Sequence, residues 1–186
     1  MNNLFNIINT SIPSLKIIQR NPLGDQRGYL ERLFCSKELG AILPKKPIVQ
    51  INHTYTKNRG AVRGMHFQYP PYTETKLVSC IRGEVFDVAI DLRNGSPTFL
   101  QYHAEILTDS NHKTFVIPDG FAHGFQTLTD DCELLYFHTS PYHKPSEGGL
   151  NALDPRIGIP WPLPITDRSE RDLSHPMLTL GFKGIE

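Results

Sequence analysis

The sequence has few cysteines, and their arrangement excludes a disulfide-stapled scaffold. Among its 186 residues are Cys35, Cys80 and Cys132, an odd number at wide spacing, and no CxxC pair occurs. Small secreted domains rely on several paired cysteines, whereas a few dispersed thiols are typical of the reducing cytoplasm. The sequence therefore predicts a cytoplasmic protein with reduced thiols, and these three cysteines are a poor basis for a zinc site.

Long apolar runs and an excess of charge of one sign are also missing. No segment approaches the ~18 apolar residues of a transmembrane helix, and residues 1–5 lack the basic and apolar parts of a signal peptide. Lys and Arg together number 19, as do Asp and Glu, so the formal net charge is zero. A neutral chain has no broad electrostatic attraction to nucleic acid. We therefore expect neither a membrane nor a nucleic-acid partner.

Short runs rich in β-branched and aromatic residues, punctuated by 15 prolines and 14 glycines, dominate the chain. Several have strand length and alternate in polarity. Strands are predicted over residues 47–51, 76–81, 85–90, 114–117 and 133–137. Residues 82–84 are predicted to form a tight hairpin and residues 93–97 a turn. Closely spaced strands of this kind favour an all-β sandwich or barrel.

Helical signals are few. Residues 36–40 and 166–172 each predict one short helical turn. No repeat, low-complexity tract or linker divides the chain, so residues 1–186 are predicted to form a single domain. The part after about residue 140, rich in proline and polar residues, is expected to pack over the barrel as loops and short helical turns.

The second motif of cupin β-barrels has a proline, a glycine two residues later and a histidine three residues after that. This chain matches it with Pro118, Gly120 and His123. Metal-binding cupins place two histidines as HxH in their first motif and a glutamate a few residues later. Here the first motif keeps only His66, and Lys76 lies near the place of the glutamate. An ammonium group offers only hydrogen-bond donors and cannot ligate a metal. The sequence thus predicts a cupin-type jelly roll of two antiparallel sheets, with a histidine pocket and neither metal nor cofactor.

A histidine and a lysine in such a pocket suit proton abstraction beside a carbonyl. With a reference pKa of ~6.5, His66 is well suited to act as a base near neutral pH, and Lys76 can stabilise an enolate oxygen. Inversion of a stereocentre also needs an acid on the opposite face. Tyr136, in a predicted strand of the same barrel, can supply it.

A series of short motifs runs in one order through residues 25–176. They are DQRGYLE at 25–31, QIN at 50–52, RGMHFQ at 63–68, KLV at 76–78, DVAIDLR at 87–93, SPT at 96–98, GFAHGF at 120–125, DPRIGI at 154–159, WP at 161–162 and SERD at 169–172. Together they resemble the dTDP-4-dehydrorhamnose 3,5-epimerase family of homodimeric, cupin-type isomerases. The resemblance implies inversion of carbon 3 and/or carbon 5 of a dTDP-linked 4-keto-6-deoxyhexose through an enolate, in deoxysugar biosynthesis.

The resemblance also implies a role for each catalytic residue. His66 would be the base, with Asp172 holding its imidazole, and Tyr136 would be the acid on the other face of the sugar. Lys76 would face the ketone oxygen. Plainer roles exist for two of them, because Asp172 can simply cap a helical turn and Tyr136 can be a barrel-wall aromatic. Tyr142 is the competing acid.

A second group of residues is predicted to bind the substrate. The resemblance implies that His123 contacts the sugar and that Arg27 and Arg63 bind the diphosphate, because a guanidinium fork matches phosphate oxygens. Further candidates for substrate contacts are Glu31, Gln50, Asn52 and Tyr142. Because family members are dimers that exchange an N-terminal strand, Arg27 and Glu31 are expected to serve a site partly built by a second copy.

Two positions depart from the family pattern, since Phe137 stands where a lysine is frequent and Ala152 where a tryptophan is frequent. Because of these two departures, the motifs do not determine which nucleotide and which sugar substituents the protein binds. A mono-epimerase that acts on a related sugar would share nearly every motif. Rival functions are those of a ketoisomerase, a non-catalytic sugar-binding cupin and a metal-dependent cupin dioxygenase. The remaining histidines are interpreted as ordinary surface or structural residues: His53, His103, His112, His138, His143 and His175.

Overall fold

Strands make up nearly all of the regular structure in the computed structural model, which describes residues 3–43 and 46–186. The strands are β1 (Phe5–Asn9), β2 (Lys16–Arg20), β3 (Leu23–Asp25), β4 (Gly28–Leu30), β5 (Gln50–Thr56), β6 (Val62–Gln68), β7 (Lys76–Arg82), β8 (Glu84–Asp91), β9 (Tyr102–Thr108), β10 (Lys113–Ile117), β11 (Phe121–Thr127), β12 (Cys132–His138) and β13 (Glu147–Gly149). A 3₁₀ turn at Lys144–Ser146 and a short helix, α1 (Glu170–Ser174), follow β12. Within the described ranges, no helix is long and apolar enough to cross a membrane.

Two antiparallel sheets form the body of the molecule. One has the strand order β1-β2-β10-β7-β12-β5 and the other β13-β6-β11-β8-β9, while β3 and β4 form a separate hairpin. Strands β7 and β8 belong to different sheets, so the hairpin predicted at residues 82–84 is wrong. Gly83, at φ +79°, instead turns the chain from one sheet to the other. A Cβ at this corner would lie 2.6 Å from the hydroxyl oxygen of Thr129, so only glycine fits.

Apolar side chains pack between the sheets and also on their outer faces. The inner layer joins residues of both sheets, among them Phe115 and Phe125. The C-terminal part of the chain covers the outer face of the five-stranded sheet around Ala152, and the segment around Leu39 covers the six-stranded sheet. Burial from both sides explains why β11 is buried along its whole length instead of alternating between core and solvent.

This two-sheet jelly roll confirms the predicted all-β fold. The predicted strands agree with β7, β8, β10 and β12 to within one residue at each end. The strand predicted from residue 47 begins only at Gln50, because Pro47 has no N–H to donate to a ladder.

The regions predicted as turns hold slightly more structure than expected. Beyond residue 140, β13 joins the five-stranded sheet by pairing with β6, so this part is not made of loops and helical turns alone. The turn predicted over residues 166–172 is observed as α1. At residues 36–40 the backbone N–H of Leu39 donates to the Cys35 carbonyl over 3.0 Å, a single helical turn.

Candidate active site

A cavity of about 370 Å³ is lined by strands of both sheets. Three predicted catalytic residues border it: His66 on β6, Lys76 on β7 and Tyr136 on β12. Five predicted binding residues border it as well: Gln50, Asn52, Arg63, His123 and Tyr142. The structure therefore brings eight of the eleven predicted site residues to one space.

His66 and Asp172 form a hydrogen-bonded pair at the wall of the cavity. Nε2 of His66 lies 2.6 Å from Oδ1 of Asp172. Burial alone would raise the pKa of Asp172, but the hydrogen bonds from His66 and from the Gly64 backbone N–H lower it to about 2. Burial also lowers the pKa of His66, against the opposing pull of Asp172. Near neutral pH the pair is a neutral imidazole that donates from Nε2 to a carboxylate and keeps Nδ1 as a base.

Local backbone structure places the carboxylate behind the imidazole. The Ser169 hydroxyl caps α1 by accepting a hydrogen bond from the Asp172 N–H over 3.1 Å, so it fixes the helical turn that carries the carboxylate. Gly64, at φ +130°, donates its N–H to Oδ2 of Asp172 over 3.1 Å. A Cβ on Gly64 would lie 2.5 Å from the Cα of Gly124. Two glycines therefore let β6 and β11 approach closely beside the pair.

The ammonium group of Lys76 is held from two sides. Its Nζ lies 3.3 Å from Oε1 of Glu74 and 3.5 Å from the carbonyl oxygen of His66. The other oxygen of Glu74 lies 2.7 Å from Nδ1 of His138. Burial opposes ionisation of Glu74, but the hydrogen bond from His138 and the charge of Lys76 lower its pKa. An ionised Glu74 thus anchors the ammonium in the cavity and leaves it a donor for a substrate oxygen.

Tyr136 and His123 form another part of the wall. Their rings meet edge-on, with centroids 5.8 Å apart. Burial, and then the charge of Asp87, raise the pKa of the Tyr136 phenol, so its hydroxyl stays protonated and can act as an acid. Nε2 of His123 lies 2.8 Å from Oδ1 of the buried Asp87, which fixes the orientation of the imidazole and, through it, of the Tyr136 ring.

Epimerisation beside a ketone needs a base, an acid and a positive charge at the ketone oxygen. The cavity holds all three: the His66 imidazole supported by a carboxylate, the protonated phenol of Tyr136 and the ammonium of Lys76. A sequence model of dTDP-4-dehydrorhamnose 3,5-epimerase matches residues 9–179 of the chain. The chain belongs to this epimerase family. The prediction of an isomerase of the dTDP-sugar epimerase class is thereby confirmed.

Individual members of the epimerase family are similar over nearly their whole length. The dTDP-4-dehydrorhamnose 3,5-epimerase of Sinorhizobium fredii is 41% identical over 169 residues, which are 90% of this chain and 87% of that protein. The crystal structure of the Legionella pneumophila dTDP-6-deoxy-D-glucose-3,5-epimerase in complex with dTDP-4-keto-L-rhamnose has a TM-score of 0.90 and 41% identity, and the match covers 95% of this chain and 94% of that one. A 3′-monoepimerase of Streptomyces bikiniensis in complex with dTDP-quinovose has a TM-score of 0.84 and 32% identity, over 91% and 86% of the two chains. These structures confirm the cupin-type fold.

Arg27 and Glu31 lie outside the cavity of their own chain. Arg27 extends from the β3–β4 hairpin with 89% of its side chain exposed, and it pairs with Asp25. Oε1 of Glu31 lies 2.8 Å from Nε of Arg20 and 2.9 Å from Nδ1 of His112. A single copy of the chain therefore gives neither residue access to its own site.

Two guanidinium groups border the cavity: that of Arg63, which was predicted, and that of Arg171, which was not. Arg63 lies with its Nη1 3.3 Å from the Thr56 hydroxyl. Arg171 donates from Nη1 to Oε1 of Glu147 over 2.8 Å, and its Nη2 is 3.0 Å from Nε2 of His66. Two planar cations at one opening fit the oxygens of a diphosphate.

The interpretation of His138 as an ordinary structural residue is wrong, because it lines the cavity together with Glu74. A signal for it existed in the sequence. Tyr136 and His138 are two residues apart on β12, and side chains at that spacing share a face of a sheet. Once Tyr136 is assigned to the cavity, His138 follows. Glu74 precedes β7 and carries no comparable signal.

Both departures from the family pattern lie away from the cavity. Phe137 faces the outer apolar layer, where its ring stacks on Phe34 with centroids 6.0 Å apart. Ala152 is buried beneath the C-terminal part, and its carbonyl accepts a 2.8 Å hydrogen bond from the indole of Trp161. These substitutions therefore change packing on the outside of the barrel and leave the cavity lining unaltered.

Proposed function

We propose that this epimerase inverts carbon 3 and carbon 5 of a dTDP-linked 4-keto-6-deoxyhexose. The observation that carries the proposal is the geometry of the cavity: His66 is hydrogen-bonded to Asp172 over 2.6 Å, and the Tyr136 phenol and the Lys76 ammonium line the same walls. The complex of the Legionella pneumophila relative with dTDP-4-keto-L-rhamnose supports the substrate class.

The proposed reaction removes one proton and returns one at each of the two carbons, through a separate enolate for each carbon. Nδ1 of His66 takes the proton from the carbon beside the ketone, and the C–H electron pair becomes the carbon–carbon double bond of the enolate while the ketone oxygen gains the charge. Lys76 stabilises this oxygen in a cavity that shields it from water. Tyr136 then returns a proton to the opposite face, and the imidazolium is stabilised by Asp172. Carbons 3 and 5 both flank the ketone, so one set of groups can serve both.

The nucleotide is proposed to lie against residues from two copies of the chain. Arg63 and Arg171 of one copy bind the diphosphate beside Gln50, Asn52 and Tyr142. The exposed β3–β4 hairpin of a second copy brings Arg27, with Glu31, to the same site. In support, the hairpin pairs with no other strand of the described chain and exposes 62% of Tyr29 and 65% of Leu30. This arrangement requires a homodimer.

A mono-epimerase is the second candidate. It is favoured by the similarity to the Streptomyces bikiniensis 3′-monoepimerase, which has the same fold and covers most of the chain. A cytoplasmic location is part of the same proposal, supported by the three free thiols Cys35, Cys80 and Cys132.

Solvent exchange tests the proposed reaction. We expect that dTDP-4-keto-6-deoxyglucose, incubated with the protein in D₂O and followed by NMR, takes up deuterium at both carbon 3 and carbon 5. The phenol proton that Tyr136 delivers to the carbon has exchanged with D₂O, so the label reports abstraction at each carbon. Label at one carbon alone would establish the mono-epimerase, and the absence of label would leave a sugar-binding protein.

Glu74 is expected to position Lys76 without touching the substrate carbon. We expect Glu74→Gln to lower kcat roughly tenfold or more, since a hydrogen bond to a charged group contributes ~1.5–3 kcal/mol, while KM stays nearly unchanged. Glu133→Gln is the matched control, because Glu133 makes a similar 2.8 Å contact with a histidine, His53, on the outside of the barrel. A rise in KM alone, or equal effects of the two substitutions, would contradict the positioning role.

A further inference from the structure

His175 places a third donor of metal-ligand type beside the His66–Asp172 pair. The three residues each offer one ligand atom, and these atoms lie within 4.8 Å of one another. Nε2 of His175 is 3.7 Å from Oδ1 of Asp172, and its ring meets that of His66 edge-on with centroids 5.5 Å apart. The proposed reaction has no use for this second imidazole.

The surroundings of His175 hold its ring but leave its Nε2 without a partner. The ring packs on the bare backbone of Gly149, where a Cβ would lie 2.3 Å from it. Asn151 fixes the neighbouring backbone by donating to the His175 carbonyl over 3.2 Å. Nε2 is buried and makes no hydrogen bond to any of residues 3–43 and 46–186. An unpaired buried nitrogen costs free energy, which a ligand at this position would recover.

We propose that His66, Asp172 and His175 form a binding site for a divalent transition metal such as Zn²⁺. Two imidazoles and a carboxylate are the protein ligands of many zinc sites that keep a fourth position for water. Tetrahedral ligands at ~2.0 Å from zinc lie about 3.3 Å apart. The 2.6 Å His66–Asp172 contact and the 3.7 Å His175–Asp172 contact bracket this separation. All three ligand atoms lie within 4.8 Å of one another, so side-chain rotations have to bring the two imidazole nitrogens to the same spacing.

The charge of Arg171 limits the affinity of this site. Its Nη2 lies 3.0 Å from Nε2 of His66, where it repels a cation. However, half of the Arg171 side chain is exposed, so it can move outward, at the cost of its contact with His66 and of its 3.6 Å contact with the buried Asp172. The metal is therefore an inhibitor that competes with the catalytic arrangement, and the proposed reaction proceeds without it.

Metal binding reverses the tautomer of His66. In the working pair Nε2 carries the proton and Nδ1 the lone pair, whereas ligation through Nε2 needs the lone pair there and moves the proton to Nδ1. Nδ1 then cannot accept a proton from the sugar. Arg171, which moves outward when the ion binds, is also assigned to the diphosphate, so substrate binding weakens as well. The inhibition, which rests on the proposed function, is expected to lower kcat and to raise KM.

Co²⁺ tests the site independently of activity. EDTA-treated protein titrated with Co²⁺ is expected to show the intense visible absorption of a four-coordinate ion. His175→Ala and His175→Gln should weaken binding at least about tenfold, the lower limit seen when even an outer partner of a metal ligand is lost. His53→Ala, which removes a surface histidine, should bind Co²⁺ like the unaltered protein. Only the weak absorption of six-coordinate Co²⁺, or equal binding by the His175 variants, would overturn the proposal.

Zn²⁺ then tests the consequence. Solvent deuterium exchange at increasing Zn²⁺ is expected to stop in the unaltered protein and in His53→Ala, and to need at least about tenfold more Zn²⁺ in His175→Ala, each measured against its own metal-free rate. EDTA should restore exchange. A four-coordinate Co²⁺ spectrum without inhibition by Zn²⁺ would refute the tautomer mechanism while leaving the metal site intact. An absence of exchange before any metal is added would refute the proposed function instead.

Discussion

Replacement of His66 by alanine is expected to lower solvent deuterium incorporation at carbons 3 and 5 by roughly 10⁴-fold, the upper end of what a positioned base contributes. Among the described imidazoles that line the cavity, His66 alone is hydrogen-bonded to an aspartate whose pKa is lowered. His123 is tied to the buried Asp87 and His138 to Glu74. Both stages of the reaction begin with abstraction by the same Nδ1, so label should vanish from both carbons together.

The measurement needs evidence that the variant keeps its fold and its nucleotide site. Binding of dTDP, measured by calorimetry, should be nearly unchanged, because the diphosphate is assigned to Arg63 and Arg171. His143→Ala is the matched control, since this histidine stacks on Tyr72 outside the cavity and should leave exchange unaltered. If His66→Ala keeps exchange within tenfold of the unaltered protein, another group is the base.

The unaltered protein should also show the titration of this base. Burial places the pKa of His66 below its ordinary value of ~6.5, and protonation removes the lone pair on Nδ1. The exchange rate is therefore expected to fall with decreasing pH, at a lower pH than that at which an ordinary imidazole is protonated. Tyr136 contributes no matching fall at moderately alkaline pH, because burial raises the pKa of its phenol.

The fold and the centre of the site could be predicted from local pattern. Strand lengths follow from the spacing of turn residues, and the catalytic residues lie in motifs whose order along the chain is that of the family. The chain direction after Gly83 could not be predicted in this way. Whether a turn closes a hairpin or crosses to the opposite sheet depends on how both sheets pack, and the three residues of the turn itself are compatible with either.

The sequence motifs did not predict the site residues whose position depends on contacts between distant segments of the chain. Arg171 lies 105 positions from His66 and reaches the cavity because the C-terminal part folds back over β6. His175 reaches Asp172 only because Gly149, on β13, leaves room for its ring. Neither contact follows from periodicity, since each depends on where an irregular segment lies. Glu74 belongs to the same class, because its role is visible only beside Lys76 and His138.

Tyr136→Phe is expected to separate proton abstraction from inversion. The substitution removes one oxygen from a buried ring and conserves its packing against His123, so His66 and Lys76 keep their positions. Abstraction and enolate formation should continue at a measurable rate. With no acid on the opposite face, the enolate is reprotonated by the His66 imidazolium from the side on which the proton left. The substrate then returns with deuterium and with its original configuration, and net inversion falls roughly 10²- to 10⁴-fold.

The ratio of exchange to inversion distinguishes this role from a general loss of activity. NMR of the recovered sugar gives both quantities in one sample, and a merely structural role of Tyr136 would lower them equally. Tyr142→Phe is the control, since Tyr142 also lines the cavity but is 53% exposed and bonds to Glu147 through its hydroxyl. If Tyr142→Phe loses inversion while Tyr136→Phe keeps it, Tyr142 is the acid. Retention of inversion by both would assign the second proton to water. We expect Tyr136→Phe alone to lose inversion, because the Tyr136 phenol is buried in the cavity wall and only a proton delivered from the face away from the base reverses the centre.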